Sequence, residues 1–299
     1  MNDSASQTCF GYSIRSEIDL RFTRPGVSAD RIEIVKMRGA EPHHDEPHLL
    51  DWTTSAGVAG KLYGGGQIFD FWAENAGWFR IAPFDRTIEV PVDADALRRE
   101  THLWGVPLMV TFTRQGDLSL HAAAVERNGR AVIVAAPGRH GKTTLALALH
   151  EAGCRLLTED IARVQMQPHA SVLPGPAMLR MRSDPGIPDG MRLAEMGARA
   201  VLEIMPERRG DGGPVPLAAI VLLHVGEGPE LRLERADNAA AIRDMWALAF
   251  RIPETVDRTR TFQQLADLTT AVPVYSFHRP MTFETLPDVV AQVMALCDE

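Results

Sequence analysis

Residues 131–160 read AVIVAAPGRHGKTTLALALHEAGCRLLTED, and this stretch decides the fold. Its first six residues form a continuous apolar run, which is typical of a strand buried on both faces of a sheet. Residues 145–152 are mostly good helix formers. The loop between them contains Gly138, Gly141, Lys142 and Thr143. The stretch therefore predicts a strand, a glycine-containing loop and a helix, in that order.

A loop of this kind predicts a nucleotide site. Backbone N–H groups at a helix start bind phosphate oxygens, the lysine reaches the terminal phosphates, and the threonine hydroxyl faces Mg²⁺. Ala136 and Arg139 stand where the phosphate-binding pattern has glycine or a small residue. The chain has only three lysines, and one of them occupies the position that the pattern requires. The predicted nucleotide contacts are Gly138, Arg139, His140, Gly141, Lys142, Thr143 and Thr144.

Composition excludes several classes of protein. A net charge of −8 over 299 residues argues against general nucleic-acid binding, which leaves a basic footprint. No apolar run approaches about 18 residues, so we expect no membrane span, and the N-terminus lacks the pattern of a secretory signal. The three cysteines, Cys9, Cys154 and Cys297, lie far apart and lack metal-ligand spacing. These features predict a protein of the reduced cytoplasm.

The chain is predicted to divide near residue 112. Residues 1–112 have short, varied segments, with strands expected at 67–72 and 78–81 and a helix at 93–99 capped by Asp93. Residues 113–299 alternate strand and helix, with strands at 118–125, 155–160 and 217–225, helix 238–250, and a last helix capped by Thr285. This pattern predicts an α/β fold with a central sheet and a smaller mixed α+β unit before it.

Two adjacent carboxylates end the strand that follows the predicted loop and helix. In enzymes with this loop, a neighbouring strand end brings a carboxylate to Mg²⁺, and a second carboxylate can accept a proton from an attacking hydroxyl. Glu159 and Asp160 are adjacent on a strand and point to opposite faces, so we expect different roles for them. His121 lies in the small apolar run 118–125, where a buried structural histidine is the alternative to a site residue.

Three further sets of residues can be interpreted either as structural or as functional. Residues 41–48 (EPHHDEPH) contain His43, His44, Asp45 and His48, but two prolines and no periodicity favour a solvated loop over a metal site. Arg180 and Arg182 are expected at the surface, with neutralisation of a phosphoryl group as the alternative. The aromatic residues expected to form the core of the N-terminal unit are Phe69, Phe71, Trp72, Trp78 and Phe79.

These motifs resemble those of a known family. The segment LHAAAV at 120–125, the strand and loop, and RLLTED at 155–160 are similar in order and spacing to the HPr serine kinase family and, more distantly, to the phosphoenolpyruvate carboxykinases. The likeness is strong over about 115–165. The opening FGYSIRSEIDL also resembles HPr-kinase-like proteins encoded among peptide-tailoring genes, including those of lasso peptides. The distinctive C-terminal HPr-kinase motif is absent, so HPr itself is not the expected acceptor.

The resemblance implies an HPr-kinase/carboxykinase-like core that uses ATP and Mg²⁺. By position, Lys142 binds the β- and γ-phosphates, Thr143 and Asp160 hold the metal, Glu159 is the base for the acceptor hydroxyl, and His121 lies beside metal and phosphate. This chain has Glu159 where the family usually has aspartate. The longer side chain moves the carboxylate by about 1.5 Å, and a misplacement near 1 Å can cost about 100-fold in rate.

We therefore expect a cytoplasmic serine kinase that phosphorylates a peptide or small protein, with catalytic residues Glu159, His121 and Lys142. No nucleic-acid partner and no membrane partner is expected. A peptide precursor of the lasso type is one expected class of acceptor, held by the N-terminal unit. The alternatives are a kinase for a small-molecule hydroxyl and a nucleotide-binding regulator with little transfer activity. The resemblance also implies a homo-oligomer.

Overall fold

A computed structural model describes residues 6–38, 47–53, 57–182, 192–196, 199–226, 228 and 230–298. Within these residues the first sheet contains nine strands, in the spatial order β3-β1-β2-β4-β9-β8-β7-β6-β5. They are β1 (Gln7–Cys9), β2 (Tyr12–Ser16), β3 (Arg24–Pro25), β4 (Arg31–Lys36), β5 (His48–Thr53), β6 (Ala59–Gly65), β7 (Ile68–Ala73), β8 (Gly77–Ala82) and β9 (Thr87–Val90). Helices α1 (Ala96–Leu103) and α2 (Val106–Arg114) follow them.

The core of this first part is aromatic, as predicted. Phe69, Phe71, Trp78 and Phe79 are buried, and Trp72 is half-buried. Aromatic rings bury large areas, so they suit a sheet with only two helices to cover it. The same core includes residues from the second half of the chain, namely Ile161, Met178, Val201 and Ile252. The two parts of the molecule therefore pack directly against each other.

Helix α1 begins later than predicted and carries a histidine of unusual pKa. The side chain of Asp95, not Asp93, caps it by accepting a hydrogen bond from the backbone N–H of Arg98. Near its end, Nε2 of His102 lies 2.6 Å from Oδ1 of Asn75. Burial, aided by nearby arginines, lowers the pKa of His102 to about 4. The neutral ring is therefore the native form at pH 7, and its Nε2–H donates to the asparagine oxygen.

The second half of the chain forms a second large sheet and a small three-stranded one. The large sheet contains β10 (Leu118–Leu120), β11 (Ala122–Arg127), β12 (Arg130–Ala135), β13 (Arg155–Thr158), β14 (Ala162–Gln165), β15 (Ser171–Leu173), β19 (Val215–Val225), β20 (Arg232–Arg235) and β21 (Val274–Arg279). The small sheet contains β16 (Met178–Arg182), β17 (Arg192–Met196) and β18 (Arg199–Glu203). The helices are α3 (Lys142–Glu151), α4 (Pro206–Arg209), α5 (Asn238–Leu248), α6 (Thr255–Ala271) and α7 (Leu286–Asp298).

The direction of the strands decides where a site can form. Strand β12 is parallel to β19, and β19 is parallel to β21. Both β12 and β13 are antiparallel to β11, so β13 runs in the same direction as β12. Four strands therefore end at one edge of the sheet, which is where ligands bind in open α/β sheets. Helices α3 and α7 cover one face of the sheet and α5 and α6 the other, giving the predicted mixed α/β architecture.

Three local predictions differ from the structure. The run 118–125 is not one strand, because it bends at His121 into β10 and β11. Residues 161–167, which the sequence pattern favours as the continuation or partner of the strand 155–160, instead contain β14, which pairs with β10 and β15. Helix α6 was not predicted, because its polar and threonine-rich sequence has a weak apolar stripe. No helix in the described parts of the chain is long and apolar enough to cross a membrane.

Arg24 joins the first sheet to the strand that carries the acidic pair. Its side chain is almost fully buried and donates to the backbone carbonyl oxygens of Leu156 (2.8 Å), Leu157 (3.0 Å) and Gly175 (2.8 Å), and also to that of Arg209. Burial lowers the pKa of Arg24 to about 9, which still leaves it charged at pH 7. The N-terminal part thus holds β13 in place through a contact that no local pattern predicted.

Candidate active site

The predicted loop lies at the common edge, between the end of β12 and the start of α3. Gly141 has φ = 75°, the left-handed region that glycine adopts at little cost, and α3 begins at the next residue. A Cβ atom on Gly141 would lie 2.5 Å from Nη2 of Arg279. That Nη2 donates to the carbonyl oxygen of His140 at 2.8 Å. Arg279, at the end of β21, therefore holds the loop in place, a role that the sequence did not indicate.

Lys142 is buried in the floor of the site. Its side chain is 6% exposed, and Nζ donates to Nε2 of His121 at 3.1 Å. Burial lowers the pKa of Lys142, although the charges of Asp160 and Glu159 oppose this effect. The lowered pKa means that the charged ammonium group is less stable at this position than in water. A phosphate would supply the missing negative charge.

The backbone and two side chains fix the ring of His121. Its backbone N–H donates to the carbonyl oxygen of Leu248 at 2.7 Å, and its ring packs edge-on against Phe250. Nδ1 lies 3.3 Å from Oδ1 of Asp160. Because an ammonium group only donates, Nε2 accepts from Lys142 and Nδ1 carries the proton that faces the carboxylate. The bend between β10 and β11 is what brings His121 to this position.

The two carboxylates face different partners, as expected for neighbours at a strand end. Oε1 of Glu159 accepts a hydrogen bond of 2.5 Å from the hydroxyl of Thr143. Asp160 instead pairs with His121 and with Nη2 of Arg180. Burial raises the pKa of Asp160, but Arg180 and His121 outweigh it and hold that pKa well below its usual range. Asp160 is therefore ionised at neutral pH.

Arg180 is a site residue, contrary to the expectation that it lies at the surface. It sits on β16 with its side chain turned inward, and its backbone N–H also donates to Oε2 of Glu159 at 3.3 Å. Burial lowers the pKa of Arg180, but the two carboxylates more than compensate and raise it. Arg182, two residues further along the same strand, is exposed as expected. Residues i and i+2 of a strand point to the same face, so both arginines line the same cavity and differ only in how deeply they are packed.

These side chains surround a cavity of about 420 Å³. Six of the seven predicted nucleotide contacts line it, namely Gly138, Arg139, Gly141, Lys142, Thr143 and Thr144. The predicted catalytic and metal residues Glu159, His121 and Asp160 line it as well, together with Arg180. The structure therefore brings the sequence-predicted residues into one site, with the single exception of His140.

His140 lines a second cavity, of about 640 Å³, which adjoins the loop. This cavity also lies at the ends of β19 and β21, where the rings of His224 and His278 stack with their centroids 4.8 Å apart. Burial, and then the neighbouring His278, lower the pKa of His224, so these imidazoles face the cavity with a neutral His224. The sequence did not reveal this cavity, because its walls come from four distant segments.

The oxygen atoms beside the loop suit a Mg²⁺ ion shared with substrate phosphates better than a metal ion held by protein side chains alone. Among the described residues, no group of three or more His, Cys, Asp or Glu side chains is arranged to hold a metal ion. Thr143 and Glu159 offer two hard oxygen atoms side by side at the phosphate loop. Mg²⁺ is commonly held by one or two such oxygens together with substrate phosphates and water. Of the histidine-rich segment 41–48, residues 41–46 lie outside the described residues, and His48 pairs with Asp51 at 2.9 Å.

Comparison with known proteins leaves the family open. No protein-family model matches the chain, and no curated protein matches it. Among solved structures, the HPr(Ser) kinase/phosphatase from Coxiella burnetii aligns with 12% sequence identity over 59% of this chain and 94% of its own, with a TM-score of 0.33. A TM-score this low carries no argument for a shared family or function. What the chain does is therefore argued from the site itself.

Proposed function

We propose that this chain is an ATP- and Mg²⁺-dependent phosphotransferase that acts on a hydroxyl group. The observation that carries the proposal is the convergence of Lys142, Thr143 and the acidic pair on one cavity at the start of α3. Lys142 has a lowered pKa and lies at the N-terminus of a helix. An anionic ligand at this position would stabilise the charged form of the lysine and bind the helix N-terminus. The neighbouring carboxylates supply the metal side that phosphoryl transfer needs.

The contacts suggest a division of labour between the carboxylates that differs from the one implied by the family resemblance. We assign Glu159, which touches Thr143, to the metal side, where these two residues would hold Mg²⁺ and the ion would supply positive charge to the phosphates. We assign Asp160 to orienting His121 and to balancing Arg180, because a carboxyl group with such a low pKa is a weak base. A loose transition state for phosphoryl transfer needs little help from a base, so positioning and charge account for most of the catalysis.

The proposed acceptor is a serine hydroxyl of a peptide or small protein, and a ribosomal peptide precursor of the lasso type is the first class to test. This choice rests on the resemblance of the motifs. A second acceptor class, a small molecule with a hydroxyl group, is favoured by the 640 Å³ cavity, which has the size of a small-molecule site and meets the phosphate loop at His140. Action in the cytoplasm and homo-oligomer formation remain predictions.

The test is incubation of the protein with γ-labelled ATP, Mg²⁺, and separate panels of precursor peptides and small alcohols. We expect one phosphate on a serine or on a small alcohol, detected by mass spectrometry, and its loss in Lys142→Met. Lys61→Met is the matched control, because Lys61 is an exposed lysine on the first sheet. Tight ATP binding with no transfer would favour the regulator alternative, and no ATP binding at all would overturn the proposal.

A further inference from the structure

Arg180 has a hydrogen-bonding group without a partner in the part of the chain that the structure describes. Its side chain is 24% exposed and lies beside the phosphate loop, where Nη2 pairs with Asp160. Nε is buried and, within the described residues, has no hydrogen-bond partner. A buried guanidinium N–H without an acceptor is costly, so a protein that keeps one usually has a further ligand for it.

The position of Arg180 limits what that ligand can be. Arg180 lines the same cavity as Lys142 and Thr143, so an acceptor that reaches it enters through the phosphate site. The pairing with Asp160 also orients the guanidinium from one side, and the backbone N–H of Arg180 fixes the strand to Glu159. Guanidinium groups bind phosphoryl oxygens in a two-point geometry that an ammonium cannot reproduce. A terminal phosphoryl group is the ligand that suits this arrangement.

We propose that Arg180 is a catalytic residue that contacts the transferred γ-phosphoryl group. The inference rests on the proposed function. In the reaction, the bond between the γ-phosphorus and the β,γ-bridging oxygen breaks and its electron pair stays on ADP. A new bond forms between that phosphorus and the acceptor oxygen, whose proton passes to solvent water. Arg180 neutralises charge on the γ-oxygens, while Asp160 keeps the guanidinium in place.

The test compares the binding of a non-hydrolysable ATP analogue, AMP-PNP, with the binding of ADP by isothermal titration calorimetry. In Arg180→Ala we expect the Kd for AMP-PNP to rise by about tenfold or more, as for loss of one charge-assisted hydrogen bond, while the Kd for ADP stays within about threefold. Arg130→Ala is the matched control, since Arg130 is an exposed arginine at the start of β12, the end of that strand away from the loop. It should change neither Kd.

A second variant and a metal-free titration separate direct contact from other roles. Arg180→Lys keeps a positive charge beside Asp160, so it should fold even if the alanine variant does not, and it should still lose part of the preference for AMP-PNP. If Arg180 acted only by positioning a carboxylate that binds the metal, the Arg180 variants would bind AMP-PNP as well as the wild type does when EDTA removes the metal. Direct contact with the phosphoryl group predicts that their weaker binding persists in EDTA. Equal losses for both nucleotides, or none for AMP-PNP, would overturn the inference. Failure of the wild-type protein to bind either nucleotide would instead overturn the proposed function.

Discussion

Replacing Lys142 by methionine should separate nucleotide binding from stability. The lysine is 6% exposed, and its net pKa is lowered, so the folded protein holds this charge at a cost. Asp160 keeps its partner Arg180 when the lysine is removed, so no carboxylate is left alone. A lysine whose pKa is lowered by folding destabilises the fold while it is charged, so exchanging it for an apolar side chain of similar length removes that cost. We therefore expect the free energy of unfolding of Lys142→Met to equal or exceed that of the wild-type protein.

The affinity for ATP should change in the opposite direction. Loss of the charged donor removes an interaction of about 1.5–3 kcal/mol, which corresponds to roughly tenfold to 150-fold in Kd. Urea unfolding without ATP measures the stability of each variant. The increase in stability on adding ATP measures the affinity, because a ligand of the folded state stabilises it according to its concentration relative to Kd. Lys61→Met serves as the control for the loss of an exposed lysine. A variant Lys142→Met destabilised by more than about 2 kcal/mol would show that the lysine is a structural counter-ion, and the reasoning would fail.

Three further changes test the loop, the link between the two parts of the molecule, and a buried histidine. Gly141→Ala should lower the free energy of unfolding by about 1–2 kcal/mol because of its left-handed backbone, whereas Gly138→Ala, where added atoms meet nothing within 4 Å, should change it far less. Arg24→Met should cost about 2–4 kcal/mol in urea unfolding, because buried carbonyl oxygens lose their donors. His102 has a folded pKa of about 4 against an ordinary 6.5, so its contribution is complete above pH 6.5 and is lost as pH falls towards 4, by about 3 kcal/mol in all. Comparison of wild type with His102→Gln across that range should show the wild type losing more stability, and parallel pH profiles would contradict the assignment.

Local sequence patterns predicted much of the site. The apolar run, the Gly-Lys-Thr loop and the helix formers after it gave β12, the loop and α3, because each of these elements depends on residues close in sequence. The acidic pair was found for the same reason, since it directly follows a short strand. Strand alternation also predicted that Glu159 and Asp160 would face different partners. Patterns within about 30 residues were therefore enough to locate the phosphate side.

Contacts between distant segments could not be predicted in this way. Arg180 enters the site because β16 lies against Glu159 and Asp160, whereas Arg182, on the same face of that strand, is exposed. The burial of Arg24 depends on carbonyl oxygens more than 130 residues away. In each case the sequence showed an arginine in a chain rich in arginine, and nothing local distinguished it from a surface residue.

The roles of the two carboxylates follow from where the chain leaves β13. Residue 159 points towards the start of α3, so its carboxylate meets the Thr143 hydroxyl, which the first turn of the helix presents at the phosphate loop. Residue 160 points the other way and meets His121, which the bend between β10 and β11 places there. The longer side chain of the buried Glu159 reaches the hydroxyl on the helix, and the shorter, partly exposed Asp160 meets His121 and Arg180. This contact with Thr143 is the reason for which we propose Glu159, and not Asp160, on the metal side.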